Sequence, residues 1–255
     1  MYNPLKAKLR RREVTFGVTV GLGCPEVSEA LGNIGLDWIS FDMQHTSLDT
    51  ETVQAMVQAM SCSNSVPIIR ITSNDPGLIN RALDIGAYAV IIPLVNSRED
   101  AEDAVRASRY PPKGIRSWGP RRPALRDPDY AATANEEIMV IPQIETEHAF
   151  KHLEDIVTTE GIEAVFLGPM DLSMSLGIFR QFEDPKFLRS MDRVVSVCEA
   201  HNVSPGLLAP IGPVEKSIEQ GFKLISLGGD LRLLIDCVEE ILKRSRSITN
   251  SGIEA

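Results

Sequence analysis

Eight short runs rich in β-branched and aliphatic residues recur along the chain, at 15–20, 38–42, 67–71, 89–93, 139–145, 164–168, 204–208 and 223–227. Each is followed by Gly, Pro or polar residues and then by a stretch of helical periodicity. Parallel strands need a crossover long enough to hold a helix, so this alternation points to βα units around a parallel sheet. Eight units predict an α/β chain folded as a single (β/α)8 TIM barrel. With 255 residues and 43% hydrophobic content, one core of that size can be filled. Residues 1–245 are therefore read as one barrel domain with a short N-terminal helix, and 246–255 as a polar C-terminal tail.

Several helices announce their starts. Asp49 precedes a helical run to about Ser61, Asn74-Asp75-Pro76 opens another, and Ser97 precedes the acidic turn Arg98-Glu99-Asp100. The stretch 110–134 breaks the rhythm, because Pro111, Pro112, Gly114, Gly119, Pro120, Pro123 and Pro128 exclude a long regular element. A loop of that length in a compact domain is usually functional or interfacial.

A formal charge of −9 argues against nucleic-acid and membrane-surface partners, since the average field repels phosphate. No apolar run approaches the roughly 18 residues of a membrane span. The four cysteines, Cys24, Cys62, Cys198 and Cys237, have neither metal-ligand spacing nor the density of a disulfide scaffold. Reduced thiols and a cytoplasmic location follow. The basic start, with Lys6, Lys8, Arg10, Arg11 and Arg12, reads as a short helix on the bottom of the barrel in preference to an organelle transit segment.

Glu145 and Asp171 each follow an apolar run. Carboxylates at the carboxyl ends of successive parallel strands can converge on one hard dication and leave positions for water and substrate; capping the following helices is the alternative. Alternate residues of a strand share a face, so Gln143 and Glu145 point with Met139 and Ile141, and Arg70 points with Ile68. Arg70 is costly to bury unless it meets an anion, either a substrate oxygen or Asp42. His45, near the end of the second run, is a candidate general base, because histidine is the side chain whose unperturbed pKa of about 6.5 suits that role, although a lone loop histidine is more often structural. Gly168-Pro169-Met170-Asp171 reads as a tight turn into a helix whose free N–H groups can hold a carboxylate. Leu227-Gly228-Gly229-Asp230 is either a phosphate-binding turn or an ordinary tight one. His148 and His152 stand one helical turn apart with no third zinc ligand nearby. Lys223 begins its strand and no lysine ends one, which speaks against a Schiff-base mechanism.

At these residues the chain resembles the HpcH/HpaI aldolase family of metal-dependent class II pyruvate aldolases. The likeness is carried by Phe41-Asp42-Met43-Gln44-His45, Arg70, Leu83-Asp84-Ile85-Gly86-Ala87, the segment from Arg109 to Arg116, Gln143-Ile144-Glu145-Thr146 and Gly168-Pro169-Met170-Asp171-Leu172-Ser173. It spans nearly the whole chain, with the motifs in family order. The resemblance implies a barrel of the phosphoenolpyruvate/pyruvate-binding type. It implies that Glu145 and Asp171 bind a divalent metal; oxygen ligands favour Mg²⁺ or Mn²⁺, while Co²⁺ and Zn²⁺ would also bind. It implies that Arg70, Gln143 and the turn Gly168, Pro169, Met170 and Asp171 bind substrate, and that His45, paired with Asp84, handles protons beside Arg70. The implied activity is cleavage or formation of a 4-hydroxy-2-oxo acid from pyruvate and an aldehyde. Oxaloacetate decarboxylation with a non-aldehyde acceptor is the second reading, and a non-catalytic small-molecule-binding barrel the third. A homo-oligomer, commonly a hexamer, is also implied, in which the segment 110–126 completes a neighbour's site. The chain departs from the family pattern at Gln44, at Ser117–Pro123 and at Met170, changes expected to reshape the acceptor pocket. Arg121 and Arg122 would favour an acidic second substrate, or serve only solvent or a subunit contact.

Overall fold

Each of the eight apolar runs is a strand in a computed structural model that describes residues 1–251, with side chains described to Ile248: β1 Thr15–Val20, β2 Trp38–Asp42, β3 Val66–Arg70, β4 Ala89–Ile92, β5 Met139–Ile144, β6 Ala164–Leu167, β7 Ser204–Leu207 and β8 Leu224–Gly229. They pair in sequence order, all parallel, and β8 returns to β1, which closes the barrel. The helices of the first half are α1 Pro4–Arg10, α2 Pro25–Gly32, α3 Thr50–Ala59, α4 Pro76–Asp84, α5 Arg98–Ser108, α6 Arg121–Arg126 and α7 Tyr130–Glu137. Those of the second are α8 Glu147–Lys151, α9 Leu153–Val157, α10 Pro169–Ser175, α11 Pro185–Ala200, α12 Val214–Glu219 and α13 Asp230–Ser251.

The caps are those the sequence signals. Asp49, Asp75 and Ser97 accept the N–H groups of Thr52, Leu78 and Asp100 at 2.8, 3.0 and 3.1 Å, each satisfying a first-turn donor. Two short helices, α6 and α7, interrupt the proline-rich stretch 110–134. Pro123 lies in the first turn of α6, where a missing N–H costs no intrahelical bond.

The strands alternate between two apolar clusters. Inward residues Trp38, Val66, Ile68, Ala89, Ile91, Met139, Ile141, Ala164, Phe166 and Leu224 fill the barrel, with Trp38 edge-on to Phe166 at 5.7 Å between ring centroids. Outward residues such as Val18, Phe41, Ile69, Val90, Val140 and Val165 pack under the helices. Leu5 and Leu9 of α1 join the inward cluster, so α1 closes the amino end of the barrel. Its basic side chains are paired there: Lys6 and Arg10 with Glu163 at 2.7 and 2.6 Å, and Lys8 with Asp37 at 2.5 Å.

The last helix departs from this scheme. α13 runs on to Ser251, through the first residues of the segment read as a tail; 252–255 lie outside the described residues. All its side chains from Leu231 to Ile248 are exposed, including Leu231, Leu234, Ile235, Val238, Ile241 and Leu242 at helical spacing. No helix among the described residues is long and apolar enough to cross a membrane.

Candidate active site

The inward alternation carries polar residues to the carboxyl end of the barrel. On β2 and β3, register pairs Asp42 with Arg70. Arg70 Nε and Nη2 donate to the two Asp42 carboxylate oxygens at 2.8 and 2.6 Å. The arginine meets its anion inside the chain in this structure, and its Nη1 keeps no protein partner among the described residues. Asp42 also accepts backbone N–H groups from Gln44 and His45 at 3.0 and 3.3 Å. Burial works against its carboxylate, but Arg70 and these two donors outweigh burial and hold its pKa below the usual range.

Across the mouth, β5 presents Gln143 and, just past its end, Glu145, which are 1% and 2% exposed. Gln143 Nε2 donates to Glu145 Oε2, and the Leu94 N–H donates to Glu145 Oε1 at 2.7 Å. Burial pushes the Glu145 pKa up against these two donors; the nearby Asp171 charge pushes it further and Arg70 opposes. Gln143 Oε1 is buried without a partner. Gly168 lies directly on this pair: a Cβ there would stand 3.0 Å from Glu145 Cβ and 3.1 Å from Gln143 Nε2. The following turn opens α10, with Pro169 at its first position, Met170 40% exposed and Asp171 exposed in the first turn.

Asp42, His45, Arg70, Gln143, Glu145, Gly168, Pro169, Met170 and Asp171 thus gather at one end of the barrel. His45 is exposed there, and its ring makes no hydrogen bond among the described residues. Asp84 does not join them. It is the last residue of α4, which returns toward the amino end before β4 begins. There it accepts Arg116 Nη2 at 2.8 Å, and a Cβ at Gly119 would stand 2.9 Å from its other oxygen. The Arg116 side chain is fully buried, bonded also to Tyr130 Oη at 3.0 Å and lying 4.5 Å over the Tyr110 ring. Within one chain the barrel separates Asp84 from His45.

Oxygen donors suit a hard dication. Two carboxylates in electrostatic reach, one buried and raised in pKa, with an unpartnered amide oxygen beside them, fit a hard divalent cation. No group of three or more His, Cys, Asp or Glu side chains poised for a metal occurs among the described residues. That includes His148 and His152, whose rings lie 4.8 Å apart, with His152 beside Asp155. At the end of β8, Asp230 accepts the N–H groups of Gly21 at 3.1 Å and of Leu22 at 2.9 Å, which ties this turn to the loop after β1.

Sequence reasoning missed the Leu94 contact. Leu94 lies in the β4 loop, and its positive φ of 54° has no sequence signal, because such a backbone favours Gly or Asn.

Comparison with known proteins identifies the family. A 5-keto-4-deoxy-D-glucarate aldolase of Salmonella paratyphi C is 35% identical over 90% of this chain and 91% of its own. The crystal structure of a HpcH/HpaI aldolase/citrate lyase family protein from Burkholderia cenocepacia J2315 superposes with a TM-score of 0.90 at 31% identity, covering 96% of this chain and 99% of that one. Macrophomate synthase superposes with a TM-score of 0.86 at 25% identity, covering 97% and 89%. The family profile for HpcH/HpaI aldolase/citrate lyase matches residues 16–237, and the chain belongs to that family.

Proposed function

We propose that this barrel is a divalent-metal-dependent lyase that cleaves or forms 4-hydroxy-2-oxo acids through a pyruvate enolate, with an aldehyde as the second product or substrate. The observation that carries this reading is the buried Glu145, held by Gln143 and Leu94, packed on Gly168 and electrostatically coupled to Asp171. Glu145 and Asp171 would hold Mg²⁺ or Mn²⁺, with Co²⁺ and Zn²⁺ also compatible, and the ion would supply Lewis-acid stabilisation to the oxygen that gains charge as a methyl proton leaves or a carbon–carbon bond breaks.

The chain's own residues do the rest. Arg70, oriented by Asp42, would serve the developing oxyanion as a fixed positive charge. The turn Gly168–Asp171 presents first-turn N–H groups to the substrate carboxylate. Gln143 offers its unpartnered Oε1 to the same pocket. His45, exposed at the mouth, moves the proton. Removal of the Glu145 carboxylate tests the reading: Glu145→Gln should lose Mn²⁺ affinity and aldol cleavage together. His45→Ala should slow proton transfer while keeping the metal; a loss of Mn²⁺ affinity would make His45 a ligand instead.

We also propose a homo-oligomer, with a hexamer favoured. The exposed apolar face of α13 supports it, since a contiguous apolar stripe of that length marks an interaction surface. Asp84 is tied through Arg116 to the segment 110–126, so its pairing with His45 belongs to this proposal, across a subunit contact. The four cysteines are free, which supports a reducing, cytoplasmic setting. The likeness to macrophomate synthase favours one second reading, in which oxaloacetate decarboxylation generates the enolate for a non-aldehyde acceptor. Comparing products from pyruvate and from oxaloacetate separates the two.

A further inference from the structure

Leu94 holds a backbone conformation that its side chain does not explain. Its φ of 54° lies in the left-handed region, where a Cβ crowds the following carbonyl and where Gly or Asn is the usual occupant. Packing does not compensate, because Leu94 is 56% exposed. Backbone strain of this kind persists only where neighbouring contacts over-determine it, and such places cluster at functional sites.

The contacts around Leu94 meet that condition. Val95, the next residue, is fully buried and anchors the loop in the core. Asn96 Nδ2 donates to the Leu94 carbonyl at 2.8 Å. The other end of the same amide, Oδ1, accepts the Thr146 hydroxyl, and the Asn96 N–H donates to Asp100 at 2.8 Å. Thr146 directly follows Glu145 and caps α8 through the Ala149 N–H at 2.9 Å. The β4 loop and the end of β5 are therefore tied together on both sides of one carboxylate. In that frame the left-handed turn aims the Leu94 N–H at Glu145 Oε1 at 2.7 Å, while Gln143 takes Oε2. Each oxygen keeps a lone pair, and the carboxylate loses its freedom to rotate.

We infer that Leu94 is a positioning residue: its left-handed backbone, clamped by Asn96, fixes the Glu145 carboxylate in the orientation that binds the metal. The inference rests on Glu145 being a metal ligand. It makes backbone conformation, rather than the leucine side chain, the property that matters at position 94. Groups that orient a metal ligand typically set affinity by about tenfold to a hundredfold.

The experiment measures Mn²⁺ affinity by electron paramagnetic resonance of the free ion, together with the unfolding midpoint of the metal-free protein, in five variants. Leu94→Val introduces a β-branched residue that tolerates the left-handed region poorly, and should weaken Mn²⁺ binding about tenfold or more. Leu94→Asn and Leu94→Gly keep that region accessible and should bind within about twofold of the parent chain. Asn96→Ala releases the clamp and should weaken binding in the same direction as Leu94→Val, which keeps the test available if Leu94→Val does not fold. A loss of affinity without a matching fall in the metal-free midpoint separates positioning from general destabilisation. Glu145→Gln is the control for the underlying reading. If Glu145→Gln leaves Mn²⁺ affinity unchanged, the ligand assignment is wrong. If Glu145→Gln weakens binding but Leu94→Val and Asn96→Ala do not, the positioning role is overturned; it is overturned equally if Leu94→Asn and Leu94→Gly lose as much affinity as Leu94→Val.

Discussion

Asp42 and Arg70 sit opposite each other in the β2–β3 register and join through two hydrogen bonds of 2.8 and 2.6 Å at the carboxyl end of the barrel. The residues are 5% and 9% exposed, so their pairing offsets the cost of burying both charges there. Removing one partner of such a pair leaves a buried charge unpaired and should cost about 3–5 kcal/mol. Arg70→Met, followed by chemical denaturation, is expected to show that loss and to lower affinity for pyruvate as well. A stability change within about 0.5 kcal/mol would mean the pair is solvated in solution.

The same pair sets a pH dependence. The folded-state pKa of Asp42 is depressed, so its stabilising contribution is fully present above the unfolded value of about 3.9 and is lost as pH falls through the lower folded value. Unfolding free energy should decline across that acid window. Asp42→Asn should be less stable at neutral pH but flatter in the window, and an unchanged acid slope would assign the titration to another group.

A Cβ at Gly168 would crowd the site, lying 3.0 Å from Glu145 Cβ and 3.1 Å from Gln143 Nε2, so those side chains would have to give way by a few tenths of an ångström. Gly168→Ala should destabilise the fold by about 1–3 kcal/mol through overpacking. It should also weaken Mn²⁺ binding by about tenfold or more, because the crowded atoms orient the carboxylate. Calorimetric titration with Mn²⁺ and thermal unfolding measure both. Unaltered metal affinity would place the ion away from Glu145.

Arg116 ties Asp84 to the segment 110–126, with its guanidinium fully buried between Asp84, Tyr130 and the Tyr110 ring. Arg116→Ala should cost about 3–5 kcal/mol and expose that segment to limited proteolysis. If cleavage within 110–126 stays as slow as in the parent chain, the segment is held by other contacts.

The α13 stripe gives the oligomer proposal a direct test. The double substitution Val238→Glu and Ile241→Glu places charges on two side chains that are 54% and 49% exposed in the single chain. Light scattering after size-exclusion chromatography should then report a smaller species than the parent assembly. A parent chain that is itself monomeric, or an assembly indifferent to both charges, would remove α13 from the interface.

Much of this architecture was legible because a barrel writes its strands as local patterns. The inward alternation of Met139, Ile141 and Gln143, continued to Glu145, and of Ile68 with Arg70, is visible in the sequence and recurs in the structure. Local caps such as Asp75 are equally readable. Relationships between distant segments were not. The Leu94 N–H on Glu145 depends on a backbone conformation that a leucine does not advertise. The sequence offered Asp42 as one of two partners for Arg70, and strand register decides in its favour. The family resemblance pairs Asp84 with His45, but chain direction carries Asp84 to the other end of its own barrel, where Arg116 meets it, and no local pattern shows that such a pairing would have to cross between chains. The Asp230 carboxylate filling the β1 loop depended likewise on closure of β8 onto β1. The continuation of α13 past Ser245 was hidden for another reason: its side chains from Leu231 to Ile248 are exposed, so burial does not distinguish this part of the helix from a polar tail.

Loss of the pyruvate methyl proton signal by NMR in D₂O tests enolate formation without requiring the second substrate. With Mg²⁺ or Mn²⁺ added, the parent protein should exchange those protons, chelator should abolish the exchange, restored metal should recover it, and Glu145→Gln should fail to exchange under every condition. Exchange that survives in chelator, or that is absent with every metal tried, would contradict the metal-assisted pyruvate enolate on which the account rests.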